Sequence, residues 1–211
     1  PARVENYSID TLVTDVRELI DELGHETAYL VGHDWGGFIA WETASQWPAI
    51  VDGLVSVGVT HPLLFDRGLD RLDQLRHAWY MYFFQLPRLP EWAFRANNYA
   101  AYEKMVSDII VNESAFTDAD FDRYREAIAQ PGALPAMVNY YRANLGKHFL
   151  RKLILPRLGK PVSSTRFSAR QITVPTMILY GEQDYFDSTM MFDTVSDWVD
   201  NARLKSFSNA S

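Results

Sequence analysis

A carboxylate stands at the centre of Gly32-His33-Asp34-Trp35-Gly36-Gly37. Small residues two before and two after a nucleophile are the spacing of a nucleophile elbow, a sharp turn that lifts one side chain above the end of a strand. Gly32 and Gly36 would permit the close backbone approach that such a turn demands. Serine is the usual occupant of the central position, and it suits cleavage of esters and amides. An aspartate suits attack on a carbon centre, with a covalent ester as the intermediate. The amides and macrodipole at the start of a following helix would favour its ionised form. The plainer alternative is an N-cap aspartate in an ordinary turn between strand and helix. The flanking sequence favours the elbow.

The elements that must position Asp34 are legible on both sides of it. Thr27 to Val31 is a β-branched and aromatic run that reads as a buried strand. Phe38 to Ala44 reads as a helix that stops near Pro48. Upstream, Ser8 is placed to cap a helix with Leu12, Val16, Leu19, Ile20 and Leu23 on one face, ended by Gly24. Gly53 to Val59 reads as a second buried strand, closed by Thr60-His61-Pro62. Val174 to Gly181 is a third, with Pro175 near its start where no central ladder bond is lost. A helix through Met191, Val195 and Trp198 and a last strand from Arg203 to Phe207 complete the pattern. Alternating helices and strands of this kind predict an α/β fold with an open parallel sheet.

A second acid follows directly on the third strand, in Gly181-Glu182-Gln183-Asp184. That is the carboxyl edge of the sheet, where open α/β folds place their sites. An acid there could orient a histidine and stabilise its cation, the third member of a nucleophile-base-acid triad. The alternative is a turn or N-cap aspartate; given the elbow, Asp184 is favoured for the triad role, with Glu182 as a substitute.

From residue 63 to residue 168 helical patterns replace strands, and aromatic side chains crowd between Trp79 and Tyr99. Thr117 reads as an N-cap, with Phe116 and Phe121 placed for a hydrophobic staple on a helix running to Ala129. Another helix carries Met137 through Leu145. The region reads as a helical lid inserted into a core formed by residues 1–62 and 169–211. Residues 151–170 carry several Lys and Arg and no acid; a solvated linker is favoured over a polyanion patch.

Composition narrows the classes. The chain has 211 residues, 47% of them hydrophobic, enough for a sizeable core. A net charge of −7 argues against nucleic acid as the main partner. With no cysteine there is neither a disulfide framework nor a thiolate metal site. No apolar run reaches the length of a bilayer span. Pro1-Ala2-Arg3-Val4 lacks a signal-peptide pattern, and a cytoplasmic location is the expectation.

Taken together, Gly32-His33-Asp34-Trp35-Gly36-Gly37, Thr60-His61-Pro62 and Gly181-Glu182-Gln183-Asp184 resemble the α/β-hydrolase enzymes with an aspartate nucleophile: epoxide hydrolases, haloalkane dehalogenases and fluoroacetate dehalogenases. The resemblance runs through essentially the whole chain. In the lid, Tyr80-Met81-Tyr82-Phe83-Phe84-Gln85 and Asn139-Tyr140-Tyr141-Arg142 are similar to the two segments with which epoxide hydrolases hold the epoxide oxygen. The resemblance therefore implies Tyr80 and Tyr141 as the phenol pair, with Tyr82 and Tyr140 as neighbours that a slip in alignment would exchange for them. An alkoxide leaving group is strongly basic and needs such donors, whereas a halide needs no proton. The implied cycle has Asp34 attacking an epoxide carbon, water then cleaving the ester, and a vicinal diol as product. The backbone N–H of Trp35 would stabilise the oxyanion, and His61 would meet the substrate at the lid entrance. No metal or organic cofactor is required; the implied partners are a small apolar epoxide and water.

Two features of that family are not found in the sequence. An N-terminal group of strands with a His-Gly-x-Pro loop would precede Pro1, and the catalytic histidine would follow the last strand, beyond Ser211. None of the five histidines, His25, His33, His61, His77 and His148, suits that role; His33 reads as a local hydrogen-bonding residue with its side chain turned elsewhere. The expectation is a fragment with N-terminal strands and the C-terminal end missing, poorly soluble through an unpaired apolar sheet edge and incapable of turnover. A dehalogenase sharing the Asp34 chemistry is the alternative enzyme. A non-catalytic binding module that keeps the pocket is the alternative of another class.

Overall fold

The computed structural model describes residues 3–68, 78–154, 167, 171–184 and 194–210. The chain divides into two compact units. One comprises Ile9–His77 and Ser163–Ala210, and the other comprises Pro1–Ser8 and Ala78–Val162 together with Ser211.

Among the described residues, the first unit is a four-stranded parallel sheet with helices. Its helix α1 spans Ile9–Glu22, α2 Trp35–Gln46 and α3 Pro62–Gly68. Strands β1 (Ala28–His33), β2 (Val51–Val57), β3 (Thr176–Gly181) and β4 (Ala202–Phe207) lie side by side in sequence order. Register is set by pairs such as Gly32 with Ser56, Ser56 with Ile178, and Gly181 with Phe207. The strand ends that Asp34 and Asp184 follow therefore lie on one edge of the parallel sheet. The core contains Ile9, Val13, Phe38, Trp41, Leu54 and Ile178, from α1, α2 and the central strands.

Each expected strand forms, with small shifts of boundary. The buried face of α1 differs from the expected one: Ile9, Val13 and Ile20 are buried, while Leu19 and Leu23 are exposed. The apolar stripe spans more of the helix circumference than the sheet unit covers. Gly24, at φ 76°, ends that helix as expected, its N–H bonding the Asp21 carbonyl. The helix expected through Met191 and Trp198 lies largely outside the described residues; what is described there is a single 3-10 turn, Val195–Asp197. Helix α3 groups with the sheet rather than with the helical region expected to start at residue 63.

The second unit is helical: α4 Trp79–Phe83, α5 Leu89–Arg95, α6 Ala100–Ser107, α7 Asp118–Ala129 and α8 Ala133–Ile154. Val4–Tyr7, a 3-10 turn, belongs to it, and Asn144 of α8 donates to the Tyr7 carbonyl at 2.8 Å. The aromatic run supplies its core, in which Phe84, Phe94, Leu134 and Val138 are buried. Thr117 caps α7 as expected, and Asp120 accepts from its N–H (3.0 Å) and hydroxyl (2.7 Å). Those bonds hold the exposed Asp120 carboxyl below its ordinary pKa. Phe116 and Phe121 lie 6.1 Å apart, as a staple requires. Of the basic stretch from 151 to 170, residues 151–154 extend α8 and Phe167 stacks on Phe38; the rest lies outside the described residues, as does His77.

Candidate active site

The elbow is built by glycines at its base. A Cβ on Gly32 would lie 2.3 Å from the Gly36 carbonyl oxygen, so only glycine lets β1 pass so close to the first turn of α2. A Cβ on Gly37 would press on Val59 at 3.0 Å. A Cβ on Gly36 would meet nothing within 4 Å. The packed pair is thus Gly32 and Gly37, and Gly36 contributes its main chain rather than a missing side chain. Between them Asp34 takes φ 50°, ψ −125°, a conformation L-residues seldom hold without surrounding support. Its carbonyl accepts the first helical bond of α2 from Phe38 at 3.2 Å.

Desolvation pushes the Asp34 carboxyl above the ordinary carboxylate pKa, although the residue keeps a face open to solvent. The charge of His33 and the backbone N–H of Trp35 pull the other way and do not cancel the burial. The helix terminus alone led to the opposite expectation. That expectation counted the N–H and omitted the protein packed around the carboxyl. The Trp35 N–H, expected as an oxyanion donor, is directed at the Asp34 carboxyl.

Asp184 lies past the end of β3, its N–H bonded to the Gly181 carbonyl at 3.4 Å. One strand separates β1 from β3, so their ends are roughly 10 Å apart. Gly58, at the end of the strand between them, has φ 66°. A Cβ on Gly58 would lie 3.8 Å from the Asp184 carboxylate and 3.7 Å from the His33 ring. His33 and Asp184 therefore flank one gap above β2, and His33 turns toward the site rather than away from it. Sequence reading set His33 aside. The available signal was alternation along β1, which puts residue 33 on the same face as Tyr29 and Val31. Glu182, the substitute acid, accepts instead from the Ser206 hydroxyl at 2.6 Å.

His61, expected to meet the substrate, is buried. Its exposure is 1%, its ring stacks on Trp198 and meets Trp41 edge-on, and its Nδ1 accepts from the Leu63 N–H at 3.3 Å. A ring enclosed by two indoles packs the core and turns the chain. Trp41 nearby donates to the Ser56 hydroxyl, which donates to the Val59 carbonyl, so the segment after β2 is held from inside.

In the helical unit, Tyr80 and Tyr141 meet edge to face with ring centroids 5.7 Å apart. The neighbours that could have replaced them go elsewhere. Tyr82 is exposed, and Tyr140 packs against Tyr7 at 5.2 Å. Phe84 touches both members of the pair, at 5.6 Å from Tyr80 and 4.8 Å from Tyr141. Arg142, which sequence reading noted only as part of a segment, is bonded across three helices. Among the described residues no cluster of three or more His, Asp or Glu is arranged to hold a metal ion, and no helix is long and apolar enough to cross a membrane.

The chain is similar to known proteins. Epoxide hydrolase 4 of Mus musculus is 32% identical over 206 residues, 95% of this chain and 53% of that protein. The AB hydrolase superfamily protein YfhM of Bacillus subtilis (strain 168) is 34% identical, over 97% of this chain and 66% of that protein. The chain thus spans about half to two thirds of the length of these relatives. The crystal structure of Bacillus megaterium epoxide hydrolase in complex with an inhibitor superposes with a TM-score of 0.84 at 28% identity, covering 100% of this chain and 72% of that one. The family described as alpha/beta hydrolase fold matches residues 1–211. The chain belongs to the alpha/beta hydrolase fold family.

Proposed function

We propose that the protein opens epoxides to vicinal diols through an ester on Asp34. The observation that carries this reading is the pairing of Tyr80 with Tyr141, two phenols held face to edge while Tyr82 and Tyr140 are directed elsewhere. Relatives named as epoxide hydrolases support it.

In the first step an Asp34 carboxylate oxygen attacks an epoxide carbon. The ring C–O bond breaks, its electron pair passes to oxygen, and a phenol of the pair supplies the proton. In the second step water adds to the ester carbonyl, giving up its proton to a histidine that Asp184 orients. The acyl C–O bond then breaks, the departing oxygen takes the remaining water proton, and the diol leaves as the carboxylate is restored; the histidinium proton returns to the phenolate left by the first step. The net reaction is epoxide plus water to diol, with no redox change. The phenols separate this reading from dehalogenation, because a departing halide takes no proton.

The test supplies the complete protein with an aryl epoxide and, separately, a haloalkane. Diol release from the epoxide is expected. Halide release without diol would transfer the protein to the dehalogenase reading. A single trapped ester on Asp34, detected as added mass without turnover, would favour the binding-module reading.

A further inference from the structure

We infer that Arg142, acting with Glu91 and Gln85, is the positioning residue that sets the spacing and tilt of the Tyr80 and Tyr141 phenols. The inference rests on the two-tyrosine reading proposed above.

The two tyrosines belong to different helices, α4 and α8, so their separation depends on how those helices are joined. Arg142 follows Tyr141 directly on α8, and its guanidinium reaches the end of α4. Its Nε donates to the Phe84 carbonyl at 3.0 Å, and its Nη2 to the Leu86 carbonyl at 2.7 Å. A helix end leaves its last carbonyls without helical donors, and a cation placed there satisfies them and the negative end of the dipole. The same guanidinium grips Glu91 in the first turn of α5: Nη1 donates to Oε1, and Nη2 to Oε2 at 3.0 Å. The pair is largely buried, at 17% and 12% side-chain exposure. Desolvation would raise the Glu91 pKa, but the bonds and charge of Arg142 outweigh it and hold the carboxyl below its ordinary value. Glu91 is thus kept as an ion that fixes the fork.

The mechanical link to the phenols runs through Phe84. Its carbonyl is held by Arg142, and its ring lies against both tyrosine rings. Gln85 adds a second tie, donating to the Met81 carbonyl at 2.9 Å and to the Tyr141 carbonyl at 3.5 Å. On α8 the space for this side chain is kept by Gly146, where a Cβ would lie 2.7 Å from the Gln85 Oε1. A planar fork with five donors is needed to serve two carbonyls and a carboxylate at once. Lysine keeps the charge but offers one compact donor group.

The test is single-turnover kinetics of Arg142→Lys and Glu91→Gln in the complete protein, separating formation of the Asp34 ester from its hydrolysis. Ester formation uses the phenols, and a misplacement near 1 Å costs up to about 100-fold, so a 10- to 100-fold fall in that step is expected. Ester hydrolysis should stay within about twofold of the parent, since the phenols take no part in it. In a Tyr80→Phe/Tyr141→Phe background the same substitutions should produce no further loss, the non-additivity expected of groups acting through one another. Parent-like ester formation in both variants, or an equal slowing of both steps, would overturn the inference. Should the parent protein open no epoxide, the function reading fails separately. The positioning is then read from the fluorine resonance of 3-fluorotyrosine placed at position 141. A shift on Arg142→Lys and on Glu91→Gln supports the link, and an unmoved resonance in both overturns it.

Discussion

Gly32 passes so close to Gly36 that a Cβ at position 32 would sit 2.3 Å from the Gly36 carbonyl oxygen, whereas a Cβ at position 36 would touch nothing within 4 Å. The two flanks of the elbow, alike in sequence, are unlike in what they tolerate. Gly32→Ala should cost about 3 kcal/mol or more, because the obstacle is main chain and cannot rotate away. Gly36→Ala, in the first turn of α2, should range from neutral to about 1 kcal/mol stabilising. Thermal unfolding of both variants checks the contrast, and equal melting temperatures would contradict this geometry.

The raised pKa of Asp34 makes a stability prediction. The folded chain holds this proton more tightly than the unfolded chain, so stability falls as pH rises from the unfolded value of about 3.9 through the higher folded value. At neutral pH the full cost of desolvating the charge is present. Asp34→Asn removes the charge, and asparagine tolerates a positive φ. The variant should therefore be more stable than the parent at pH 7, with the advantage fading as pH falls through the folded value and lost below about 3.9. Denaturant titrations across pH measure this directly, and a pH-independent difference would count against it.

If the phenols protonate the departing oxygen, Tyr80→Phe and Tyr141→Phe should each lower the rate of epoxide opening, and the double variant should lose roughly 100- to 10,000-fold. Tyr82→Phe, at an exposed position, serves as the control and should stay within about twofold of the parent. Diol formation followed by chromatography decides it. Intact turnover in the double variant would remove the tyrosines from the mechanism.

Enclosure of His61 between Trp41 and Trp198 predicts an effect on stability rather than on substrate. His61→Phe keeps a stacking ring but strips the Leu63 N–H of its acceptor, a loss of about 1 kcal/mol. The melting temperature should fall while KM is unchanged. A large rise in KM with unaltered melting would restore the substrate role.

What the sequence by itself determined is what depends on near neighbours. The elbow, the Thr117 cap with Phe116 and Phe121, the Gly24 helix stop and the four strand runs all follow from residues a few positions apart, whose steric and hydrogen-bonding preferences act locally. The tyrosine pair was legible only through the resemblance of two short segments, since nothing in spacing brings Tyr80 to Tyr141 across 61 positions. Only the tertiary structure decided which face of α1 is buried, that Gly58 opens a gap flanked by His33 and Asp184, and that Arg142 joins Glu91 to the end of the Tyr80 helix. It also reversed the sign for Asp34 and enclosed His61 between two indoles. Desolvation and packing are properties of what surrounds a group, and those surroundings are assembled from residues far apart in the chain.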